Sequence, residues 1–188
     1  MFDANTGDLL QKFTAPDGVA NDSFRVSVSL DDGLALLGSR LDDDKGADSG
    51  SAYLFEKSTG NLLQKFTAPD GTAGDEFGFS VSLDDGLALI DAYRNQNGSA
   101  YLFDADTGKF LQKLNPFDGV GLDRFEWSLS LDNDDVLIGA YLNVNNAASH
   151  GAAYLFGDNT PSSETTPEPL SLLGLLGVVA AARRRRSR

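Results

Sequence analysis

Pairs of neighbouring carboxylates are the residues of this sequence best suited to chemistry. They occur at Asp31-Asp32, Asp84-Asp85 and Asp134-Asp135. Two carboxyl groups that flank a glycosidic bond can serve as general acid and as base or nucleophile in glycoside hydrolysis. Each pair, however, stands at the same place in a repeated pattern, at a predicted hairpin turn where Asp favours the backbone geometry. We therefore interpret the pairs as turn residues.

Other side chains that perform catalysis are few. The only His, His150, stands in a predicted loop, and the chain has no Cys. The lack of Cys excludes a disulfide scaffold, a cysteine-ligated zinc site and a cysteine nucleophile. Trp127 takes the place of Phe79 in the repeated pattern, which favours a packing role over sugar stacking. The sequence therefore predicts no enzymatic activity.

The charge of the chain is uneven. With 15 basic and 28 acidic side chains among 188 residues, the formal net charge is −13. Five arginines and two glutamates lie in residues 164–188, so residues 1–163 hold 10 basic and 26 acidic residues, a net charge of −16. Residues 1–163 are acidic enough to repel a polyanion, and their sequence has no stripe of basic residues that could bind one. We expect no nucleic-acid partner.

Internal repeats organise residues 2–156. Residues 2–13 return at 55–66 and again at 103–114, at offsets of 53 and 48 residues. A second pattern, Val-Ser-Val-Ser-Leu at 26–30, has counterparts at the same offsets. A third, Ser-Ala-Tyr-Leu-Phe at 51–55, recurs at 99–103 and, as Ala-Ala-Tyr-Leu-Phe, at 152–156. Three patterns that recur together along the chain identify a repeat protein.

Each unit has the pattern of four short strands. Residues 26–30 alternate apolar side chains with Ser, which is typical of a half-buried strand. Asp32-Gly33 and Asp85-Gly86 then supply the positive-φ residues of a tight hairpin turn. Four strands in about 50 residues are the size of a β-propeller blade. We predict an all-β fold of four-stranded antiparallel β-propeller blades.

The number of blades is small for a propeller. Units near 24–66, 77–114 and 125–156, with an N-terminal strand at 2–14, make about three blades in a repeat domain of residues 1–158. Propellers typically have four to eight blades. We therefore expect either a truncated form of a larger propeller or an open arc completed by self-association through its open blade edges.

Phe77-Gly78, and Gly139-Ala140-Tyr141 at a loop entry, carry a resemblance to a known family. The units resemble FG-GAP repeats, the blades of integrin-alpha-type propellers and of many bacterial surface proteins. The resemblance covers about residues 2–156. It implies a β-propeller with calcium bound in the loops between second and third strands.

The calcium loop that the resemblance implies is best preserved in the first unit. It offers Asp42, Asp44 and Asp48 around Gly46, and Ca²⁺ takes six to eight oxygen ligands. Corresponding positions in the other units carry Asn or Ser or are missing, so we expect weaker binding there. A solvated acidic loop is the alternative for all three. Calcium binding predicts that millimolar calcium raises the thermal stability of residues 1–158.

A second family shares part of the repeat. The Asp-x-x-Thr-Gly segments at 3–7 and 104–108 resemble the turns of quinoprotein propellers, which would imply a pyrroloquinoline quinone dehydrogenase. Gln11, Gln64 and Gln112 replace the Trp that this family places four residues after the Gly. The Thr-Gly turn is a generic hairpin device, so we retain only the shared blade architecture.

The C-terminal segment differs from the repeats. Residues 159–169 form a linker rich in Pro, Ser and Thr, and residues 170–182 are an uncharged apolar run, predicted as a short hydrophobic helix. An arginine cluster follows it: Arg183, Arg184, Arg185 and Arg186. Together with Pro167, Glu168 and Pro169 these features resemble a PEP-CTERM sorting signal spanning residues 167–188. The resemblance implies processing by an exosortase at the membrane.

These features predict an exported, non-enzymatic protein of a Gram-negative bacterium. We expect an inner-membrane intermediate and then delivery to the cell surface or extracellular matrix, where the blades bind a protein or polysaccharide or serve as structure. Such export requires an N-terminal signal, which Met1 and the residues after it do not show. The alternatives are a remnant of a larger propeller, or part of a hydrolase or quinoprotein-like enzyme whose active residues lie elsewhere.

Overall fold

The computed structural model describes residues 3, 5–95, 98–115, 125–133, 135–143 and 150–157. These residues form eleven strands and no helix. The predicted linker and C-terminal helix, residues 159–188, lie outside the described residues.

Three antiparallel sheets follow one another along the chain. Blade 1 consists of β1 (Phe24–Asp31), β2 (Leu34–Ser39), β3 (Ser51–Glu56) and β4 (Leu62–Phe66), in that order. Blade 2 consists of β5 (Phe77–Asp84), β6 (Leu87–Ala92), β7 (Ser99–Asp104) and β8 (Phe110–Leu114). Blade 3 consists of β9 (Phe125–Asp132), β10 (Asp135–Asn143) and β11 (His150–Phe156). The all-β prediction is confirmed, and the sheets have the form of an incomplete propeller.

The hairpin turns lie where the sequence predicts them. Asp32 and Gly33 have φ of 36° and 82°, and Asp85 and Gly86 have φ of 44° and 75°. Two successive positive φ values match the right-handed twist of the flanking strands. The Asp pairs therefore serve the turns between the first and second strands of blades 1 and 2.

The blades pack face to face through apolar side chains. The cluster between blades 1 and 2 joins Leu36 and Leu54 of blade 1 to Val81, Leu83 and Ile90 of blade 2. A corresponding cluster joins blade 2 to blade 3. The middle strands of blade 2 are apolar on both faces, because each of its faces is covered by a neighbouring blade.

Close backbone approach fixes the joint between blades 1 and 2. Gly50 lies beside Phe77 in a parallel bridge, with φ of 81°, and a Cβ there would stand 2.1 Å from the Phe77 carbonyl oxygen. Gly78, with φ of 87°, approaches the Ser51 carbonyl in the same way. The Phe-Gly pair thus places a buried ring next to a residue that lets two blades touch.

Residues 5–15 belong to none of the three sheets. Phe13 nevertheless packs on Phe55, with ring centroids 5.3 Å apart, as Phe66 packs on Phe103 at 5.0 Å. The segment therefore contacts blade 1 as β4 contacts blade 2.

Candidate functional site

The loop between β2 and β3 is organised around Asp42. This residue is only 4% exposed. Its Oδ1 accepts hydrogen bonds from the Ser51 hydroxyl at 3.0 Å and the Asp44 amide at 3.2 Å, and its Oδ2 lies 2.7 Å from the Tyr53 hydroxyl. A buried carboxylate with this many donors is satisfied within the protein.

Lys65 of β4 brings three carboxylates together. Its Nζ lies 2.6 Å from Asp17 Oδ2, 2.5 Å from Asp44 Oδ2 and 3.4 Å from Asp42 Oδ2. The ammonium also stands 5.1 Å from the ring centroid of Tyr53, within range of a cation–π interaction. We call these five residues the Lys65 cluster.

The cluster shifts the ionisation of its members. Burial, and then the hydrogen bonds to Asp42 and Asp17, raise the pKa of the Tyr53 phenol, so the hydroxyl stays protonated. Burial alone would raise the pKa of Asp17, but hydrogen bonds from Lys65 and Tyr53 hold it below its ordinary value. Burial opposes the charge of Lys65, yet its carboxylate partners raise its pKa. Asp17 and Lys65 are therefore both charged around neutral pH, whereas Tyr53 is neutral.

Only two of the three residues predicted to bind calcium lie in this cluster. Asp42 and Asp44 face Lys65, whereas the Asp48 amide donates to Asp43 Oδ1 and the Asp48 carbonyl accepts the Glu76 amide. Within the ranges that the structure describes, no group of three or more acidic or His side chains is placed to hold a metal ion. As arranged, these residues do not fit a calcium site, because an ammonium already occupies the space between the carboxylates. Calcium binding itself stays a prediction.

Blade 2 repeats the cluster with less charge. Lys113 Nζ lies 2.7 Å from Asp70 Oδ2 and 5.0 Å from the ring centroid of Tyr101, whose hydroxyl donates to Asp70 at 2.8 Å. Asn95 takes the place of Asp42 and hydrogen-bonds to Asp75 at 2.9 Å. With one Lys and one Asp this cluster is neutral, whereas three Asp and one Lys give the Lys65 cluster a formal charge of −2.

A second charged group lies between blades 1 and 2. Glu76 is 4% exposed and forms ion pairs with Arg40 and, at 3.1 Å, with Arg94. Asp91 of β6 is fully buried; its Oδ1 accepts the Ser80 amide at 2.6 Å, and its Oδ2 has no hydrogen-bond partner among the described residues. Burial raises the pKa of Asp91 well above its ordinary value, against the effect of the backbone amides.

Sequence reasoning missed the Lys65 cluster, although its signal was present. Asp17, Tyr53 and Lys65 all recur in the second unit, as Asp70, Tyr101 and Lys113. A recurring acid, base and aromatic at fixed places within each repeat indicates a contact that each blade needs. Asp91 is marked in the sequence by a departure from the repeat, since it stands where blades 1 and 3 have Gly38 and Gly139.

The remaining predicted residues give no further site. The residues of the proposed sorting signal, 167–169 and 183–186, lie outside the described residues, as does Asp134, and His150 begins β11. No helix in the described part of the chain has the length and apolar character needed to cross a membrane.

Comparison with known proteins agrees with the blades. The FG-GAP repeat family matches residues 8–55, 61–103 and 109–156. No curated protein matches this chain. Among solved structures, a europium-containing methanol dehydrogenase is similar over 76% of this chain and 24% of its own, with a TM-score of 0.50 and 14% identity. The computationally designed Ika8 protein is similar over 74% of this chain and 36% of its own, with a TM-score of 0.47 and 16% identity.

The fold and the repeated clusters define a protein of β-propeller-type blades, and the chain spans only a quarter to a third of these structural neighbours. It belongs to the FG-GAP repeat family, which matches well over half of its length. The second and third matched repeats begin at 61 and 109, so each contains a fourth strand (β4 or β8) followed by the first three strands of the next blade; the first begins at 8 and contains residues 9–13, which repeat the sequence of β4.

Proposed function

We propose that this chain is an exported, non-enzymatic surface or extracellular-matrix protein of a Gram-negative bacterium. Its blades act as a binding or structural module, and residues 167–188 are a sorting tail that an exosortase-type enzyme processes at the inner membrane. The observation that carries the proposal is the order of three features in this tail: Pro167-Glu168-Pro169, an uncharged apolar run, and the cluster at 183–186.

The charges of the tail support an orientation in the membrane. The apolar run of 13 residues is shorter than the roughly 20 that span a bilayer, but arginine side chains can reach the interface and lengthen the effective span. Arginine clusters stay on the cytoplasmic side. This orientation exports the acidic body, whose net charge of −16 keeps it soluble outside the cell.

The FG-GAP blades support a binding or structural role. Lys65 and Lys113 are paired within the protein, through ion pairs with carboxylates of the same blade or of the segment before it. The likeness to a methanol dehydrogenase rests on 14% identity and shows the fold alone. Gln11, Gln64 and Gln112 stand where quinoprotein repeats carry Trp, so we do not propose a quinoprotein activity.

Processing of the tail is the direct test. The full chain, preceded by a general secretion signal, is produced in a Gram-negative host with and without its exosortase, and the mass of the product is measured. We expect loss of the arginine cluster only when the enzyme is present. Glu168→Ala should abolish the loss, whereas Pro161→Ala in the same linker should not affect it.

Two results would contradict this proposal. The tail could remain intact in the presence of the enzyme, or cleavage could continue unchanged in Glu168→Ala. Either result would leave the FG-GAP assignment in place and remove the basis for surface sorting.

A further inference from the structure

On the side of blade 1 that faces the N-terminal segment, strands β2 and β3 are covered by residues such as Phe13, but the part formed by β1 is uncovered. We call the face of each blade toward its predecessor the leading face, and the opposite one the trailing face. On the leading face of blade 1, Val28 and Leu30 are 63% and 57% exposed. Their counterparts in blade 2, Val81 and Leu83, are 5% and 4% exposed because blade 1 covers them. Blade 1 therefore presents a packing surface without a partner blade.

The trailing face of blade 3 presents the side chains that would cover such a surface. Leu137 and Leu155 are 45% and 56% exposed. In blade 1 the same repeat positions are Leu36 and Leu54, which are 0% and 1% exposed against Val81 and Leu83 of blade 2. Blade 2 uses its own pair, Leu89 and Leu102, in the same way against blade 3.

The hydrogen bonds between blades repeat as well. Ser27 and Ser29 accept the amides of Val81 and Leu83 at 3.1 and 3.0 Å, and Ser80 and Ser82 accept those of Leu129 and Leu131 at 3.3 and 2.9 Å. The next pair in this series is Ser128 and Ser130, which are exposed on blade 3. By the repeat, their partners are the amides of Val28 and Leu30.

The outer strand completes the match. Among the described residues blade 3 has three strands and ends at β11, while residues 9–13 repeat the sequence of β4 and contact blade 1 as β4 contacts blade 2. The β3–β4 register pairs Tyr53 with Lys65. Applied to β11, this register pairs Tyr154 with Lys12, which extends the tyrosine–lysine contact to a third blade.

A groove lies beside the leading face of blade 1, and the corresponding space beside blade 2 is filled. It measures about 550 Å³ and is lined by residues including Gly18, Asn21 and Phe24. One unit later, the corresponding segment is covered by the loop of the preceding blade: Gly46 packs on Ala73, and the Phe77 amide donates to the Ser49 carbonyl at 3.0 Å. A preceding blade would fill the groove in the same way.

We propose that the partner of these faces is a second copy of this chain, docked head to tail. The trailing face of blade 3 covers the leading face of the copy's blade 1, and residues 9–13 of the copy become the fourth strand of blade 3. Two such contacts close two copies into one ring of six blades, within the range of known propellers. The contact uses geometry that the chain already forms twice, between its own blades.

Sedimentation of the full chain and of two face variants tests this proposal. We expect the unmodified chain, of 20.0 kDa, to sediment at twice its mass. Leu30→Glu and Leu155→Glu, each placing a charge on one face, should sediment as monomers. Leu63→Glu changes an exposed leucine of β4 and should still form the dimer. Circular dichroism verifies that all variants fold.

Mixing the two face variants distinguishes head-to-tail docking from other dimers. Leu30→Glu keeps its trailing face and Leu155→Glu keeps its leading face, so an equimolar mixture should recover a mass of two chains. A monomeric unmodified chain, a mixture that stays monomeric, or association that survives both face variants, as tail-driven association would, each overturns the proposal.

Discussion

Replacing Lys65 by Met removes the cation that contacts all three carboxylates of the Lys65 cluster. The Lys65 side chain is 20% exposed, Asp42 is 6% exposed, and Asp17 and Asp44 are 51% and 41% exposed. Removing one partner from a buried ion pair costs about 3–5 kcal/mol, whereas exposed pairs contribute about 0.2–1 kcal/mol. The cluster lies between these cases, so we expect a loss of about 2 kcal/mol in the free energy of unfolding.

Thermal unfolding followed by circular dichroism measures this loss. For a chain of this size, about 2 kcal/mol corresponds to a fall of roughly 4–8 °C in Tm. Lys113→Met in blade 2 is the matched control, because Lys113 pairs with one carboxylate, Asp70, which is 56% exposed. We expect the control to lose only about 0.5–1 kcal/mol.

The effect of calcium on Tm provides a second comparison, between Lys65→Met and the unmodified chain. Without Lys65, the carboxylates of Asp17, Asp42 and Asp44 repel one another and offer a divalent cation three charged ligands. Millimolar calcium should therefore raise the Tm of Lys65→Met by more than that of the unmodified chain. Equal losses in the two lysine variants, or an equal calcium effect on Lys65→Met and the unmodified chain, would refute the role assigned to Lys65.

Three further predictions follow from glycine contacts and ionisation. Gly50→Ala should lower the free energy of unfolding in urea by about 3 kcal/mol, since its Cβ would meet Phe77. The control Gly33→Ala has a φ of 82° and no atom within 4 Å, so it should lose about 1 kcal/mol. Equal losses in the two variants would contradict the role of the Phe77 contact. Asp91→Asn should gain stability relative to the unmodified chain as pH rises from about 4, because the folded-state pKa of Asp91 is raised and its ionisation opposes folding. A difference in the free energy of unfolding between the two proteins that stays constant across pH would contradict this prediction. The pKa of Asp70 is lowered by Lys113 and Tyr101 despite burial, so its contribution to stability is present above pH 3.8 and is lost on acidification below that value. In Asp70→Asn the free energy of unfolding should therefore fall less steeply with acidification than in the unmodified chain.

Much of the fold could be predicted because its determinants are local. Alternation of apolar residues with Ser gave the first strand of each blade, and Asp-Gly pairs gave the hairpin turns, since positive φ is a property of the residue itself. The close approach of Gly50 to Phe77 could not be predicted in this way. It depends on the distance between two blades, which no local pattern contains.

The candidate site was harder to predict than the fold. The acidic loop containing Asp42 and Asp44 was identified from the FG-GAP resemblance and its clustered carboxylates, but its cation comes from Lys65, on a strand more than 20 residues later. The partner of a charge in a repeat protein is set by how units stack. Asp48 was grouped with the other two by the family resemblance and by spacing, whereas in the structure its amide donates to Asp43 and its carbonyl accepts the Glu76 amide of the next blade.

Hydrogen exchange in residues 9–13 and 150–157 tests the central claim, that the open faces of this propeller arc complete each other. If residues 9–13 of one copy pair with β11 of another, amide protection in both segments should rise together with protein concentration, while protection in β6 stays constant. Concentration-independent, rapid exchange in both segments would contradict head-to-tail completion of blade 3.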